Sequence, residues 1–530
     1  MLRKTTLIAL AGALALALVL PQPSQAQRRG GIVNWFVYQD PGRLDFIAES
    51  PLGVQQVTAG IYSGLLHFDP DDPNKIIPDL ALSYAASNAD KVYTFKLRQG
   101  VKWHDGKPFS SADVMATFDR VLNPQVKSAR CGPVMRPIVE RVTAPDANTV
   151  RFELKFAAGT FIPGLASAWC RIAAKHVLEK FGDLQSPEAQ IGTGPFKFKR
   201  YERGSVVEWE RNPDYFIPGL PYLDGVRQYV LVGRPRQVAA AKAGQIHLWD
   251  TWPPMSPSEA REIQSTRGDA VETYKWSIST VWTLHLNSSK PPFDNKDLRR
   301  AVNLALDRHE LMQKAFEGDG VPCALLEPAT SGPFALTMDD LLKMPGCRKD
   351  KSQDLAEAER LVKKHHPNGV DVEIAIRTVG NYIDRAQVVA DQLRKIGIRG
   401  TIKTWEGAAG FAAYARGEYQ LIAAQDHAMF LPDPSGIFSL VYVENAGRNW
   451  AKWNDPQVNK LANEGLRETN QAKRAQLYHR LQRYLMSEDT PAPVVGWIEG
   501  WFFRDKKMKN YNPANTIYDN STFMKVWLER

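Results

Sequence analysis

The sequence predicts an α/β protein that contains a parallel sheet, and three observations support this fold class. Between residues 371 and 424 the chain alternates strand, helix, strand, helix and strand, which is the order of a parallel sheet with right-handed crossovers. Short β-rich runs come earlier, with one clear helix between them. The composition, 44% hydrophobic and 24% charged, is that of a globular protein and argues against a disordered chain or a fibre.

The first 26 residues have the pattern of a secretory signal peptide. Arg3 and Lys4 precede an apolar run from Leu7 to Leu20, and a small-residue site ends at Ala26. The apolar run is too short to span a bilayer comfortably, and an uncleaved anchor is the alternative. We therefore expect cleavage after Ala26 and export of the rest of the chain as a soluble protein.

The mature chain would have 530 − 26 = 504 residues, which at roughly 150 residues per domain indicates about three domain-sized units. Loss of Arg3 and Lys4 lowers the formal net charge from +9 to +7. This charge is spread along the sequence without a long Lys/Arg run, which argues against nucleic acid as a partner.

Export changes the interpretation of the four cysteines. An oxidising compartment favours disulfides over metal binding, and the sequence contains no CxxC. Four cysteines allow three pairings, of which the simplest is local, and free buried thiols are the alternative. The local pairing joins Cys131 to Cys170 and Cys323 to Cys347.

The N-terminal half contains several short strands. The β-rich runs lie at residues 32–37, 92–97 and 150–154. Residues 111–122 are predicted to be a helix, with Ser110 or Ser111 as N-cap and Asp113 in its first turn. A Gly-Thr-Gly-Pro turn at residues 192–195 precedes two alternating segments, 196–201 and 206–210, which predict antiparallel strands.

The C-terminal alternation predicts where a ligand would bind. Its segments are a strand at 371–376, a helix at 382–396, a strand at 398–403, a helix at 408–416 and a strand at 419–424. Ligands of parallel sheets gather at the carboxyl ends of the strands. Thr378, Trp405 and the run Gln425-Asp426-His427 are expected at that edge.

The sequence carries no recognisable catalytic motif. It has no G-x-S-x-G, no P-loop, no H-E-x-x-H and no G-x-G-x-x-G. His365 and His366 are neighbours that would point about 100° apart on a helix, so surface positions explain them better than a metal site. The segment Trp-His-Asp-Gly at residues 103–106 favours a turn over a His-Asp dyad. We expect a protein that is not an enzyme and that needs no cofactor or metal.

Tryptophan is unusually frequent, with 14 in the chain. An indole offers a broad apolar face and one N–H donor, which suits ligand pockets, while core packing is the alternative for any single tryptophan. Those in loops or near strand ends are Trp249, Trp252, Trp282, Trp405, Trp450 and Trp497.

Several motifs resemble the family 5 extracellular solute-binding proteins of ABC importers, a group that includes dipeptide-, oligopeptide- and nickel-binding proteins. The most specific is YTFKLRQGVKWHDGKPF at residues 93–109, which leads into Ala-Asp-Val at 112–114. Residues 61–66, 78–81, 192–195, 211–215, 287–293, 299–302 and 306–308, and the late Asp433-Pro434, match as well. The resemblance extends from about residue 30 to about residue 513.

The resemblance implies a type II periplasmic binding protein fold, in which two lobes close about a hinge and an extra domain is inserted. The implied divisions are a signal peptide (1–26), domain I in three segments (27–65, 192–282 and 500–530), an inserted domain II (66–191) and a ligand-binding domain III (283–499). Domain I would thus be assembled from the start, the middle and the end of the chain.

The implied function is capture of a peptide-like or other small organic solute by lobe closure, followed by delivery to the permease subunits of an ABC transporter in the inner membrane. We expect a monomer that binds its solute without breaking a bond. A ligand-binding sensor or adaptor for a membrane receptor is one alternative, and a secreted enzyme is another.

The sequence leaves several substrate classes open. The resemblance implies that peptide binders hold the ligand ammonium with an aspartate three residues before the aspartate of the late Asp-Pro, and Phe430 occupies that position here. The candidate substrates are therefore a peptide, a sugar, an opine, an amine conjugate and a metal chelate. The candidate ligand-binding residues are Tyr38, Asp40, Trp282, Trp405, Gln425, Asp426, His427, Met429, Phe430 and Trp497.

Overall fold

The computed structural model describes residues 29–49, 51–126, 128, 130–378, 381–429, 431, 433–487, 491–513 and 523–529. The predicted signal peptide and Phe430 lie outside these ranges. Within them, none of the helices combines the length and the apolar character that a membrane crossing requires.

The strands and helices are numbered along the chain. The strands are β1 (Ile32–Val37), β2 (Leu66–Asp69), β3 (Asp72–Pro78), β4 (Ala81–Ser87), β5 (Val92–Leu97), β6 (Val139–Asp146), β7 (Thr149–Leu154), β8 (Phe196–Glu202), β9 (Val206–Arg211), β10 (Gly225–Val230), β11 (Leu248–Trp249), β12 (Val271–Leu286), β13 (Val321–Pro322), β14 (Val370–Arg377), β15 (Ile398–Trp405), β16 (Leu421–Ala428), β17 (Val494–Asp505), β18 (Met508–Lys509) and β19 (Trp527–Leu528). The helices are α1 (Leu52–Thr58), α2 (Ser111–Leu122), α3 (Cys131–Met135), α4 (Phe161–Ala166), α5 (Lys175–Phe181), α6 (Arg234–Lys242), α7 (Pro257–Arg267), α8 (Lys296–Ala305), α9 (Arg308–Phe316), α10 (Pro328–Ser331), α11 (Met338–Leu341), α12 (Ser352–His365), α13 (Tyr382–Arg394), α14 (Gly407–Arg416), α15 (Ser435–Ile437), α16 (Pro456–Arg467) and α17 (Gln471–Ser487).

Three larger sheets organise these elements. The first has the order β1-β10-β9-β8, with β1 parallel to β10 and the other pairs antiparallel. The second is described in the next paragraph. The third is formed by strands between residues 81 and 154 and has the antiparallel order β4-β5-β7-β6. The strands predicted at 32–37, 92–97, 150–154, 196–201 and 206–210 are thus confirmed.

The second sheet has the order β11-β17-β12-β16-β14-β15, and β13 also pairs with β17. Strand β14 is parallel to both β15 and β16, which confirms the predicted parallel unit. Helix α13 ends at Arg394, two residues before the predicted end, and the chain turns at Gly397, whose φ of 87° favours glycine. Strand β16 continues four residues beyond the predicted end because its last residues pair with β12.

Helix α2 shows how local sequence sets an element boundary. The Ser110 side chain accepts a hydrogen bond from the backbone of the first turn, and the Asp113 carboxylate accepts one from the Ser110 N–H at 2.9 Å. This reciprocal capping box satisfies donors that the first turn of a helix leaves without partners. The predicted start of the helix is confirmed, with Ser110 as N-cap.

Two long strands, β12 and β17, are neighbours in the second sheet. They pair antiparallel from Val271 opposite Asp505 to Thr283 opposite Val494. Their register shifts between Ser277 and Thr280, and Ser279 there has a positive φ of 51°. Irregularities of this kind interrupt the ladder of hydrogen bonds locally and can bend a strand pair.

Both cysteine pairs of the local scheme are disulfide-bonded. Cys131 and Cys170 lie 5.2 Å apart between their Cα atoms, and Cys323 and Cys347 lie 5.8 Å apart. The first disulfide links α3 to the loop after α4. The second closes a loop beside the edge of the second sheet.

The region of the third sheet contacts the helices α15 and α16. The Gly159 N–H donates to the Leu466 carbonyl at 3.0 Å, and the Ser435 hydroxyl lies 3.2 Å from the Thr160 hydroxyl. We call these two interactions the distal contact, because they lie outside the cleft described below. The domain boundaries at residues 65/66, 191/192, 282/283 and 499/500 stay a prediction.

Candidate functional site

A cleft of about 870 Å³ lies between the first sheet and the second. Its volume is typical of small-molecule sites, which span roughly 300–1,000 Å³. The lining side chains include Tyr38, Arg234 and Trp252 near the first sheet, Arg130 near the third, and Phe316, Arg377, Tyr382, Arg385 and Asp426 near the second. A ligand in this cleft would therefore touch parts of the chain that are far apart in sequence.

The second sheet and its helices position most of the charged groups. Arg377 is the last residue of β14, and Arg385 lies in the second turn of α13. Asp426 lies within β16, where it pairs in register with Trp282 of β12. The carboxyl end of β14 thus faces the ligand space, as expected for a parallel sheet.

Arg385 and Asp426 form a buried ion pair in the cleft wall. The Arg385 Nη1 donates to the Asp426 Oδ1 at 2.7 Å, and both side chains are about nine-tenths buried or more. Its guanidinium carbon also lies 4.3 Å from the ring centre of Phe316, 5.0 Å from Trp282 and 5.0 Å from Tyr382. The charge of Asp426 is therefore already matched inside the protein.

Arg377 is a buried cation of a different kind. It is 8% exposed, and among the residues that the structure describes no carboxylate oxygen lies within 4 Å of its guanidinium. Its polar contact is a long one, 3.5 Å from Nη2 to the Gln425 Oε1, and its guanidinium stacks 3.8 Å from the ring centre of Phe411. Such a group can accept a ligand anion without first breaking an ion pair.

The acidic groups of the cleft have cationic partners. Arg234 pairs with Glu259, and Lys275 lies 3.4 Å from Asp319 and 3.0 Å from Glu499. The carboxylates therefore offer less free charge to a ligand than their number suggests. Among the described residues, Arg377 is a cation of the wall that has no carboxylate within 4 Å.

Of the predicted ligand-binding residues, Tyr38 and Asp426 line the cleft. Gln425 lies behind Arg377, 1% exposed, and donates from Nε2 to the Asp426 carbonyl at 2.7 Å. Trp282 is fully buried behind Arg385, and its Nε1 donates to the Ala423 carbonyl at 3.0 Å. These two residues support the wall from behind.

His427 is fully buried on the side of β16 opposite Asp426, next to His285. Arg448 donates to the His427 Nδ1 at 3.3 Å, so the proton of a neutral His427 lies on Nε2. That proton is donated to the His285 Nε2 at 3.0 Å. Burial lowers the pKa of His285 to about 3 and also lowers the pKa of His427 well below its ordinary value.

The remaining predicted residues lie elsewhere. Asp40 accepts from the Gly42 N–H at 2.9 Å and from the Tyr201 hydroxyl, which holds a turn together. Trp405 is half-buried beside Lys403 at the end of β15. Met429 and Trp497 line a separate cavity of about 30 Å³. Phe430 lies outside the described residues.

Sequence patterns did not reveal the arginines of the cleft. Arg377, Arg385, Arg130 and Arg234 were not among the candidate residues, and neither was Phe316. Arg377 could have been found, because it precedes Thr378 at the carboxyl end of a predicted parallel strand. The other arginines lie in helices or loops without a signal in the sequence that distinguishes them from surface residues.

The family model of bacterial extracellular solute-binding proteins, family 5, matches residues 75–448 of the chain. The chain belongs to this family. Binding a solute, rather than transforming one, is the activity of the family and of the relatives below. The resemblance carried by residues 93–109 is thereby confirmed.

Named relatives agree with the family. Di/tripeptide-binding protein 1 of Pseudomonas aeruginosa is 26% identical over 451 residues, which cover 79% of this chain and 80% of the relative. A periplasmic binding protein of Helicobacter pylori, solved with the peptide STSA, superposes with a TM-score of 0.78 at 24% identity, covering 95% and 99% of the two chains. The agropinic acid complex of AgaA from A. tumefaciens R10 gives a TM-score of 0.75 at 24% identity, covering 94% and 99%. At these identities the two structures support the fold, which is that of a type II periplasmic binding protein.

Proposed function

We propose that this family 5 protein captures a small organic solute that carries a carboxylate, and that it presents the solute to the permease subunits of an ABC importer. The observation that carries the proposal is Arg377, a buried guanidinium on the cleft wall with no carboxylate partner among the described residues. A carboxylate from the ligand would supply charge-assisted hydrogen bonds that the protein itself does not supply there. A carboxylate ligand is supported by a relative that is a di/tripeptide-binding protein and by a similar structure in complex with agropinic acid.

Closure would follow from contacts on both sides of the cleft. A solute held by Arg377 and touching Tyr38 would stabilise the closed state by the difference between its affinities for the closed and open states. The register shift between Ser277 and Thr280, on strands that connect the two sides, is our candidate for the hinge. We also propose that the signal peptide is cleaved after Ala26 and that the mature protein acts in the periplasm as a monomer with the domain division given above.

The first test is a thermal-shift panel of matched compounds. Each carboxylate, such as a dipeptide or an opine, is compared with its own C-terminal amide or ester. A ligand at 100 times its dissociation constant stabilises the folded state by about 2.7 kcal/mol. We expect at least one carboxylate to raise the melting temperature and its amide to fail. Equal shifts by both members of every active pair would contradict the proposal.

The second test is substitution of the proposed anion receptor. Arg377→Met removes hydrogen bonds to a charged group, which are worth about 1.5–3 kcal/mol, so the dissociation constant should rise roughly 10- to 150-fold. Arg360→Met is the matched control, because Arg360 is an exposed arginine of α12 paired with Glu357. Import itself would be tested by comparing growth on the identified solute between the wild-type strain and a strain that lacks the gene for this protein.

A further inference from the structure

The guanidinium of Arg385 is enclosed by groups that usually bind cations. Three aromatic rings surround it, those of Trp282, Phe316 and Tyr382, at 5.0, 4.3 and 5.0 Å from their centres. The carboxylate of Asp426 closes the remaining side at 2.7 Å. We call these four residues the cation box.

The walls of the cation box are held in place by their own contacts. The Trp282 Nε1 donates to the Ala423 carbonyl at 3.0 Å, and the Asp426 N–H donates to the Tyr382 hydroxyl at 3.2 Å. The rings of Trp282 and Phe316 pack edge to face, 6.1 Å apart. None of these contacts involves Arg385. Removal of the Arg385 side chain would therefore leave the four residues of the cation box in place and the Asp426 carboxylate unpaired.

The cation box borders the solute cleft. Phe316, Tyr382 and Asp426 all line it. Aromatic faces combined with a carboxylate attract cationic groups strongly where water is excluded. A ligand ammonium or guanidinium would find this the most favourable position on the second-sheet side of the cleft if Arg385 were absent.

We infer that Arg385 is a specificity-determining residue that fills a cation-binding subsite from within and so closes it to cationic groups of solutes. The inference rests on the proposed function in taking the cleft as the solute site. It narrows the substrate class to solutes whose charge in this part of the cleft is negative or absent. A cationic end of a solute must be accommodated elsewhere or excluded.

The test is chemical rescue of the Arg385→Ala variant. Methylguanidinium chloride at millimolar concentration is the probe, compared with sodium chloride of equal ionic strength. We expect a saturable rise in the melting temperature of Arg385→Ala and no such rise for the wild type, in which the box is occupied. The control Arg394→Ala alters an exposed arginine of the same helix, 64% exposed, and should behave as the wild type.

A second variant separates the cation box from general stabilisation. In Arg385→Ala/Asp426→Asn the carboxylate is gone, so methylguanidinium should bind at least tenfold more weakly than to Arg385→Ala. If Arg385→Ala folds only when methylguanidinium is present during refolding, the inference is equally supported. Absence of rescue in both the folding and melting assays, or equal stabilisation of the wild type, would overturn it. Because the probe is not the transported solute, this outcome is distinguishable from failure of the Arg377 test.

Discussion

Replacing Gly159 by alanine should weaken solute binding although Gly159 lies outside the cleft. Its N–H donates to the Leu466 carbonyl across the distal contact. A Cβ added at Gly159 would lie 2.4 Å from the Glu468 carbonyl oxygen and 3.0 Å from the Arg474 Nε. The first neighbour is backbone at the end of α16 and cannot turn away as a side chain would.

The size of the effect follows from this overlap. Ordinary contact begins at 3.4 Å, so the two backbones must separate by about 1 Å. Overpacking of this kind typically costs about 1–3 kcal/mol. If the two regions touch only when the cleft is closed, the open state avoids this cost. The dissociation constant should then rise about 5- to 150-fold.

Titration calorimetry with the solute found in the carboxylate panel measures this change, and small-angle scattering of the same samples reports the fraction of closed molecules. Gly447→Ala is the matched control, because an added Cβ there meets nothing within 4 Å. We expect the control to bind as the wild type does. A Gly159→Ala protein that is stably folded and binds within twofold of the wild type would refute the idea that the distal contact belongs to the closed state.

Three further predictions concern stability. Asp433→Asn breaks a buried bidentate ion pair with Arg474, in which the carboxylate oxygens lie 2.7 and 2.8 Å from the guanidinium nitrogens, and should lower the free energy of unfolding in urea by about 3–5 kcal/mol. The control Asp391→Asn, in an exposed pair with Arg394, should change it by under about 0.5 kcal/mol. Equal effects of the two substitutions would contradict the argument. Replacing Cys323 and Cys347 together by alanine opens a loop with a sequence separation of 24 and should cost about 3 kcal/mol, measured as the fall in unfolding free energy against the non-reduced wild type. Because His285 and His427 stay neutral when folded but take up protons when unfolded, stability should fall as the pH drops below about 6.5, by roughly 2.7 kcal/mol per pH unit from the two together. His427→Gln should halve that slope between pH 6 and pH 4, and an unchanged slope would show that other groups dominate.

Most secondary structure could be predicted because its causes are local. The capping box of Ser110 and Asp113 fixes the start of α2, and the apolar spacing in 382–394 with Gly397 beyond it fixes the extent of α13 within two residues. The local disulfide pairing was also predictable, since both pairs close short loops. The second sheet in full was less accessible, because β12 and β17 pair across more than two hundred residues.

The charged groups of the cleft depend on such long-range pairing. Arg385 looks like any arginine of an amphipathic helix, and its environment arises only when α13, β12, α9 and β16 come together. Arg377 is uncompensated only because no carboxylate of the described chain folds next to it. Charge in a sequence is a local property, whereas the pairing of that charge depends on the whole fold.

The run Gln425-Asp426-His427 shows how strand geometry divides neighbouring residues between different roles. The strand predicted from the sequence ends at residue 424, before all three, so each could have faced a ligand. Pairing with β12 extends the strand through them, so alternate residues point to opposite faces. Asp426 therefore faces the cleft on the same side as its partner Trp282, whereas Gln425 supports Arg377 and His427 joins His285 in the interior. A shift of one residue in this register would bury Asp426 and expose the histidine, so the specificity of the cleft depends on the β12–β16 pairing as much as on the identity of the residues.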